Sequence, residues 1–336
     1  MLRGTFCGFH ARWWPPLGSD GEVVPAGRFA PSPTGRLHLG NLRTALLAWL
    51  SARAQGLGFV VRIEDLDFAT ASVEHERAQL ADLAALGLDW DGEVVRQSER
   101  FPLYHAAIDD LTGRGLTYEC FCTRREIREA SAAPHGALVA DGAYPGTCRA
   151  LTDDQRAERR RAGRPPALRL RADHAVMVVD DEICGRIEGV VDDVVLRRND
   201  GVPAYNLAVV VDDAAQRVAE VVRGDDLLSS TPRQVALQRL LGLPTPRYRH
   251  VPLVLGDDGT RLAKRHGAVT LPDLATPTPG HPGIGASEVL SLLAASAGLV
   301  EPGETVTAQQ LVARFDPSLV RREPWVLPAD LQRSRP

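Results

Sequence analysis

The segment from Arg28 to Asn41, which reads RFAPSPTGRLHLGN, constrains the fold of this chain more than any other part of it. An extended stretch leads through a loop rich in proline and glycine into a run whose apolar residues recur at helical spacing. A strand that continues directly into a helix turns the free amides and positive dipole end of the helix outward, which predicts an anion site suited to a triphosphate. His38 can donate a hydrogen bond to phosphate oxygens there, and Gly40 lets a nucleotide lie close to the backbone. The alternative is a strand-to-helix turn with a capping histidine.

Strand-like and helix-like segments alternate along the chain, which predicts parallel βαβ units in an α/β fold. The individual predictions are a helix from Leu39-Gly40 to Gly56, a strand at 59–63, a helix from Ser72 as N-cap to Gly87, a buried strand at 205–211, a helix with Thr231 as N-cap and Pro232 at its first position, and a strand at 250–255. The pattern breaks down between about 118 and 170, so we place an insertion there.

Composition excludes several classes of protein. At 336 residues the chain exceeds one average domain. No stretch approaches the ~18 unbroken apolar residues that a membrane span requires, so no membrane role is expected.

Residues 1–26 lack the features of a secretory signal and are expected to form a disordered extension, which favours a cytoplasmic location. Five unevenly spaced cysteines predict reduced thiols rather than a disulfide framework.

Cys120, Cys122 and Cys148, together with Tyr144, form a candidate metal site in the insertion. Three thiolates can bind Zn²⁺, and its fourth tetrahedral position needs one more donor. The Cys-x-Cys spacing is tighter than the common Cys-x-x-Cys, so buried free thiols are the alternative.

A basic cluster in the same insertion consists of Arg156, Arg159, Arg160, Arg161 and Arg164. The formal net charge of -4 argues against a protein coated in positive potential, but it does not exclude local basic faces that neutralise phosphates. The cluster is either a solvated helix face or a contact for RNA.

Two motifs carry a family resemblance. The segment from Arg28 to Asn41 resembles the first signature, HIGH, of the class I glutamyl-tRNA and glutaminyl-tRNA synthetases, with HLGN in place of its four letters. The string RLAKRHGA at 261–268 stands where that family has its second signature, KMSKS, and Lys264 falls on the functional lysine. Arg261 and Ala263 depart from the usual Lys and Ser. A mobile loop whose lysine neutralises the pyrophosphate leaving group is the chemical reason for such a motif.

The resemblance also implies roles for individual residues. His38 and Lys264 would be catalytic, and the ATP-binding residues would be His38, Gly40, Asn41 and Lys264. Arg28 and Arg223 match arginines that contact glutamate, because a planar guanidinium pairs with carboxylates bidentately. Glu64 would hold the substrate ammonium, and the Tyr205 hydroxyl would line the amino-acid pocket. Further backbone and hydroxyl contacts to glutamate would come from Phe29, Ala30, Pro31 and Ser32.

The length of the chain narrows the resemblance. Residues 271–336 leave no room for the helical anticodon-binding region of a full-length glutamyl-tRNA synthetase. With the cysteine pattern and the strings at 90–94, 97–98 and 206–213, this makes the chain resemble the glutamyl-Q tRNA(Asp) synthetases. In that family L-glutamate is activated by ATP without tRNA and then esterified to the queuosine base at the wobble position of tRNA(Asp). The resemblance implies Mg²⁺ with ATP, a monomer that docks on the anticodon stem-loop, and one structural Zn²⁺ held by Cys120, Cys122, Tyr144 and Cys148.

The predicted fold is therefore a Rossmann-like class I synthetase catalytic domain of the α/β class, with an inserted zinc-bearing subdomain that binds an acceptor or stem and a short helical C-terminal part. We divide the chain into an extension (1–26), the first half of the catalytic domain (27–117), the insertion (118–185), the second half with the KMSKS-like loop (186–270) and the C-terminal region (271–336).

Three alternatives stay open at this point. A truncated ordinary synthetase would charge the 3′ end of tRNA(Glu). A small adenylyltransferase with an HxGH motif would lack the set Arg28, Glu64, Tyr205 and Arg223. A non-catalytic tRNA-binding paralogue would be expected to have lost His38 or Lys264, and both are present.

Overall fold

The computed structural model describes residues 24–131, 144–260, 262, 269–277, 282–328 and 331, and of residues 128–131 only the backbone. Residues 1–23 of the expected extension lie outside the described residues. So does Lys264, together with the other residues of its motif except Leu262.

The described residues form an alternation of strands and helices. The strands are β1 (Ala26–Phe29), β2 (Gly58–Ile63), β3 (Val95–Arg96), β4 (Thr117–Cys120), β5 (Ala167–Leu170), β6 (Val176–Asp181), β7 (Gly185–Val190), β8 (Val195–Arg197), β9 (Val218–Gly224), β10 (Arg247–Val251), β11 (Val254–Leu255) and β12 (Trp325–Val326). The helices are α1 (Leu39–Ala54), α2 (Val73–Ala85), α3 (Phe101–Gly113), α4 (Arg124–Ser131), α5 (Asp153–Arg161), α6 (Tyr205–Ala215), α7 (Thr231–Leu241), α8 (Leu271–Ala275), α9 (Ala286–Ser296) and α10 (Ala308–Arg314).

The main sheet runs in the order β3-β2-β1-β9-β10-β6-β7. Its neighbouring strands are parallel except for β6 and β7, which confirms the predicted α/β fold. β1 lies between β2, which follows it directly in the chain, and β9, which comes much later. The strand order therefore reverses at β1, and open α/β sheets bind ligands at such a point, beyond the carboxyl ends of the strands.

Helix α1 lies close against β1. A Cβ atom on Gly27 would come within 2.8 Å of the Ala52 side chain, so the absence of a side chain at Gly27 permits this contact. On its other side α1 packs against α9 and α10. The buried guanidinium of Arg43 donates to the Pro252 carbonyl at 2.8 Å and to Ser296 Oγ at 3.2 Å. The C-terminal region thus shares one hydrophobic core with the first half of the sheet.

The prediction of a strand at 205–211 is wrong, because this run begins helix α6. Residues Leu207 to Ala214 are all buried, so the helix is enclosed on every side by protein. A short apolar run gives no periodicity that separates a fully buried strand from a fully buried helix. The error lies in that ambiguity.

Two other elements differ in detail from the prediction. The N-cap of α7 is Ser230 rather than Thr231, which is the first residue of the helix. The predicted strand at 250–255 is two strands, β10 and β11, interrupted at Pro252, whose missing N–H cannot continue a ladder. The N-cap role of Ser72 is confirmed, since its hydroxyl accepts from the amides of Glu74 and His75.

A second, antiparallel sheet of β4, β5 and β8 accompanies the main sheet. β6 falls within the predicted insertion at 118–185 but pairs with β10 in the main sheet, whereas β8 follows the predicted insertion but pairs with β5. The strands of the second sheet therefore do not coincide with the insertion predicted at 118–185. Among the described helices, none combines the length and the apolar character needed to cross a bilayer.

Candidate functional site

A cavity of about 550 Å³ opens at the carboxyl ends of β1, β2 and β9. It lies at the reversal of strand order, where the topology favours ligand binding. The structure brings the described members of the predicted site together around this one cavity, namely Arg28, Phe29, Ala30, Pro31, Ser32, His38, Gly40, Asn41, Glu64, Tyr205 and Arg223. Their roles remain predictions, but all of these residues line the same cavity.

His38 is the N-cap of α1 and faces the cavity. Its Nδ1 accepts from the amides of Gly40 at 3.1 Å and Asn41 at 3.3 Å, and the Asn41 side chain accepts from the His38 amide at 3.2 Å. Because Nδ1 is an acceptor, a neutral ring carries its proton on Nε2, which is then the donor. A Cβ on Gly40 would lie 2.9 Å from the His38 ring, so this cap requires glycine. The histidine is thus both a cap and a group that can donate into the cavity.

The loop between β1 and α1 is held by α2. Gln79, which is buried, donates to the carbonyls of Ser32 at 3.0 Å and Gly35 at 2.6 Å. The amide of Ser72 donates to the Pro33 carbonyl at 3.0 Å. The loop that lines the cavity is therefore fixed by a neighbouring helix.

Arg28, Arg223 and Glu64 supply the charges at the cavity. Arg28 donates to the Val222 carbonyl at 3.0 Å and is buried, as is Arg223. Burial lowers the pKa of Arg28, with a further lowering from Arg62 and Arg223 that Asp213 opposes. Burial raises the pKa of Glu64, against the lowering effect of Arg62 and Arg28. Two guanidinium groups and one carboxyl group therefore line the same cavity.

Beneath the cavity lies a buried ionic network that sequence reasoning missed. Arg62 is fully buried and donates to Asp213 at 2.7 Å and to Glu64 at 3.1 Å. Asp212, also fully buried, accepts from Gln97, Arg100 and Tyr104 at 2.6 to 2.9 Å.

Two sequence signals could have revealed this network. Arg62 and Glu64 are two residues apart on an extended segment, which places both side chains on the same face. Asp212 and Asp213 directly follow an apolar run that is buried, so they were candidates for pairing with buried cations.

The described residues on either side of Lys264 lie beside the cavity and the start of α1. Leu262 lines the cavity, and its amide donates to the Val254 carbonyl at 3.1 Å. At the other end the Val269 carbonyl accepts from the amide of Leu39 at 2.9 Å, and Thr270 forms an isolated bridge with His38. Leu262 and the residues that follow the second motif therefore lie beside the first motif.

The three cysteines of the insertion, Cys120, Cys122 and Cys148, meet as predicted, with their sulfur atoms within 4.8 Å of one another. The Tyr144 hydroxyl lies 3.4 Å from the Cys120 sulfur and 3.7 Å from that of Cys122, and the two sulfurs of Cys122 and Cys148 are 3.5 Å apart. A tetrahedral zinc with bonds of about 2.3 Å to sulfur separates its ligand atoms by roughly 3.8 Å. The spacing of this cluster is consistent with a metal site.

The arginine cluster lies on α5 and just beyond it. Arg160 forms hydrogen bonds with both Glu119 oxygens, at 3.1 and 2.6 Å, and Arg164 donates to the Phe121 carbonyl at 2.8 Å. Part of the cluster therefore ties α5 to β4 and to Phe121 directly after it, while a contact with RNA stays a prediction.

Comparisons with known proteins agree with this geometry. Residues 26–327 match the family described as tRNA synthetases class I (E and Q), catalytic domain. A glutamyl-Q tRNA(Asp) synthetase of Nocardia farcinica is 61% identical over 90% of this chain and 93% of its own length. A glutamate–tRNA ligase of Geobacter sulfurreducens is 46% identical over 73% of this chain and 52% of its own length. The crystal structure of a glutamate tRNA ligase from Elizabethkingia meningosepticum has a TM-score of 0.74 at 26% identity, over 93% of this chain and 68% of that one.

We predict that Asp213→Ala lowers the free energy of unfolding by about 3–5 kcal/mol, because it leaves the fully buried Arg62 charge without its nearest carboxylate. Urea unfolding followed by circular dichroism measures the change. Glu188→Ala is the control, since Glu188 pairs with Arg186 at the surface. Loss of this pair should lower the free energy of unfolding by no more than about 1 kcal/mol. Equal losses in the two variants would show that the buried network does not stabilise the fold.

Proposed function

This chain belongs to the class I tRNA synthetases for glutamate and glutamine, and from that premise we propose that it is a glutamyl-Q tRNA(Asp) synthetase. It activates L-glutamate with ATP in the absence of tRNA and transfers the glutamyl group to the queuosine base at the wobble position of tRNA(Asp). Four curated relatives of this activity match 88–91% of the chain at 43–61% identity.

The observation that carries the proposal is the charge arrangement around one cavity. A dicarboxylic amino acid presents two carboxylates and one ammonium group, and the cavity presents Arg28, Arg223 and Glu64. Arginine suits carboxylates because its fixed fork donates two parallel hydrogen bonds. The N-terminus of α1 with His38 borders the same space and suits a phosphate chain. One cavity thus accommodates both substrates of glutamate activation.

The first step joins the two substrates. An oxygen of the glutamate α-carboxylate attacks the α-phosphorus of ATP, the bond to the bridging oxygen breaks, and pyrophosphate leaves with that electron pair. His38 donates from Nε2 to the phosphate oxygens as their charge grows. Mg²⁺, when bound with ATP, supplies further neutralisation of the phosphates. Arg28, Arg223 and Glu64 hold the amino acid so that the reacting carboxylate faces the phosphate chain.

In the second step a hydroxyl of queuosine attacks the activated carbonyl carbon. The bond to the adenylate oxygen breaks, AMP leaves, and the hydroxyl proton is released. The glutamyl group is then held on the modified base by an ester bond. No covalent intermediate with the protein is needed.

The role of Lys264 is supported by the positions of the described residues on either side of it. Leu262 and Val269, on either side of it, lie at the cavity and against the start of α1. Lys264 is also the only lysine of the sequence, in a chain where every other of the 39 basic residues is arginine. A lysine ammonium is a compact charge on a flexible stem, which suits a group that follows a departing pyrophosphate.

The cysteine cluster holds a structural zinc in this proposal, with Cys120, Cys122, Cys148 and the Tyr144 oxygen as ligands. The support is chemical and geometric, since three thiols and one hydroxyl converge with tetrahedral spacing. The site lies away from the cavity at β4, and its bound metal would stabilise the insertion rather than take part in the reaction.

The proposal also assigns the region that binds RNA, the oligomeric state and the location of the enzyme. A catalytic domain of this family can dock on an anticodon stem-loop, because that stem has the A-form shape and phosphate spacing of an acceptor stem. We assign this contact to the inserted unit at 118–185, between the two catalytic halves and ahead of the C-terminal region at 271–336. The enzyme works as a monomer in the cytoplasm.

The first test is glutamate-dependent exchange of pyrophosphate into ATP without tRNA. We expect exchange with glutamate and none with aspartate or glutamine. Lys264→Ala abolishes it while the melting temperature stays unchanged, and Lys264→Arg, which keeps the charge, retains part of it. Because there is one lysine side chain, an amine-directed dialdehyde of ATP should label Lys264, with ATP protecting it. Full exchange by Lys264→Ala would refute this role.

The second test identifies the acceptor. Radiolabelled glutamate should pass to tRNA(Asp) that contains queuosine and not to tRNA(Asp) from cells that lack it. A queuosine-containing tRNA(Asp) without its 3′-terminal adenosine should still accept glutamate, because the acceptor is in the anticodon loop. Charging of the 3′ end of tRNA(Glu) instead would identify a truncated ordinary synthetase.

The third test measures zinc directly. We expect one zinc per purified chain by mass spectrometry, and its loss in Cys148→Ser. Cys184→Ser is the matched control, because Cys184 is exposed and lies outside the cluster, and it should keep its zinc. Tyr144→Phe should bind zinc more weakly than the wild type. A zinc-free wild type grown with ample zinc would contradict the assignment.

A further inference from the structure

Behind Arg223, three neighbouring strands contribute a buried chain of hydrogen bonds. The His250 side chain on β10 is fully buried, with its Nδ1 2.6 Å from Asp181 Oδ2 on β6. On its other side, Arg223 Nε on β9 donates to His250 Nε2 at 3.0 Å. Asp181 and His250 do not line the cavity, whereas Arg223 does. These hydrogen bonds therefore connect Arg223 at the cavity to His250 and Asp181 in the protein interior.

The partners fix which ring nitrogen of His250 carries the proton. Asp181 accepts at Oδ1 from the amides of Ile183 at 3.0 Å and Cys184 at 2.8 Å, and at Oδ2 from the backbone amide of His250 at 3.1 Å, so it is an acceptor on both oxygens. Nδ1 of His250 is then the protonated nitrogen. Nε2 must be the acceptor, as the donor Arg223 Nε requires. Burial and the charge of Arg223 lower the pKa of His250, against the effect of Asp181, which keeps the ring neutral near neutral pH.

The guanidinium of Arg223 is held at two of its three nitrogens. Nε bonds to His250, and Nη2 donates to Thr231 Oγ1 at 2.8 Å. The Tyr248 ring lies below it, with its centroid 5.4 Å from the central carbon. Among the described residues, no hydrogen bond partner is present for Nη1. Because the group is planar, two fixed nitrogens also fix the direction of the third.

We propose that His250 is a positioning residue, whose Nδ1-protonated tautomer, set by Asp181, orients the Arg223 guanidinium to receive a carboxylate of the substrate. The inference rests on the proposed function, because it takes that substrate to be glutamate. His250 touches neither substrate. It acts through Arg223, so its contribution belongs to amino-acid binding and not to ATP binding.

Asp181→Asn tests this with almost no change of volume. The two amides of Ile183 and Cys184 hold the carboxamide oxygen at the Oδ1 position, so the NH₂ group takes the place of Oδ2, gives up the bond from the His250 amide and donates to His250 Nδ1. The ring proton then moves to Nε2 and confronts the N–H of Arg223 Nε, two donors face to face. We expect the KM for glutamate to rise roughly tenfold or more, as for loss of a hydrogen bond to a charged group, while the KM for ATP stays within about twofold.

Asp180→Asn is the matched control. It makes the same chemical change one residue earlier on β6, at an exposed position, and should leave both KM values unchanged. Nitrogen-15 NMR of the histidines in the wild type supplies a second readout that needs no variant, with His250 expected to be protonated at Nδ1 alone near neutral pH.

The outcomes separate the two claims. A wild type without glutamate-dependent exchange overturns the proposed function. A wild type that exchanges, with an unchanged glutamate KM in Asp181→Asn or an equal rise in both KM values, overturns the inference alone. A wild-type His250 that is protonated at Nε2 also overturns it, even where Asp181→Asn fails to fold.

Discussion

The ion pair between Arg62 and Asp213 is the constraint on which the rest of the site depends. It joins β2 to α6 across the base of the cavity, and both side chains are buried. The same guanidinium holds Glu64 at 3.1 Å, and the same carboxylate lies 3.7 Å from Arg28 Nε. Buried charges are tolerated only when each has a partner, so the positions of Arg28 and Glu64 follow from this pair. Through these contacts the positions of β2 and α6 determine where the charged side chains of the cavity lie.

Local signals in the sequence predicted the α/β fold, and the family resemblance predicted which residues line the cavity. The Arg28–Asn41 segment combines a strand, a rigid loop and a helix start, and these signals predicted β1, the turn and α1. Residues at the ends of parallel strands converge on one edge, so Glu64 and Arg223 could be expected near His38 before any coordinates were known.

The remaining features depend on tertiary packing, which local signals do not encode. The run at 205–211 is a helix because protein surrounds it on every side, and an enclosed helix has no polar face to reveal its period. Thr231 is the first residue of α7, and its hydroxyl accepts from Arg223, a contact that the local sequence does not indicate. His250 and Asp181 are 69 residues apart, and nothing near either residue in the chain indicates that they meet.

The cations at the cavity explain why an acidic amino acid suits this site in the proposed function. Arg28 is buried near both Arg62 and Arg223, and each of these lowers its pKa, which means that the three positive charges repel one another. Asp213 offsets part of this repulsion, together with Glu64 and Asp212, which pair with Arg62. Among the described residues Arg223 has no carboxylate partner, since its hydrogen bonds go to His250 and Thr231. In the proposed function glutamate supplies two carboxylates, while Glu64, held by Arg62, receives the ammonium group. A neutral side chain such as that of glutamine would leave one guanidinium without a carboxylate, so in the proposed function the arginines select for a second carboxylate on the substrate.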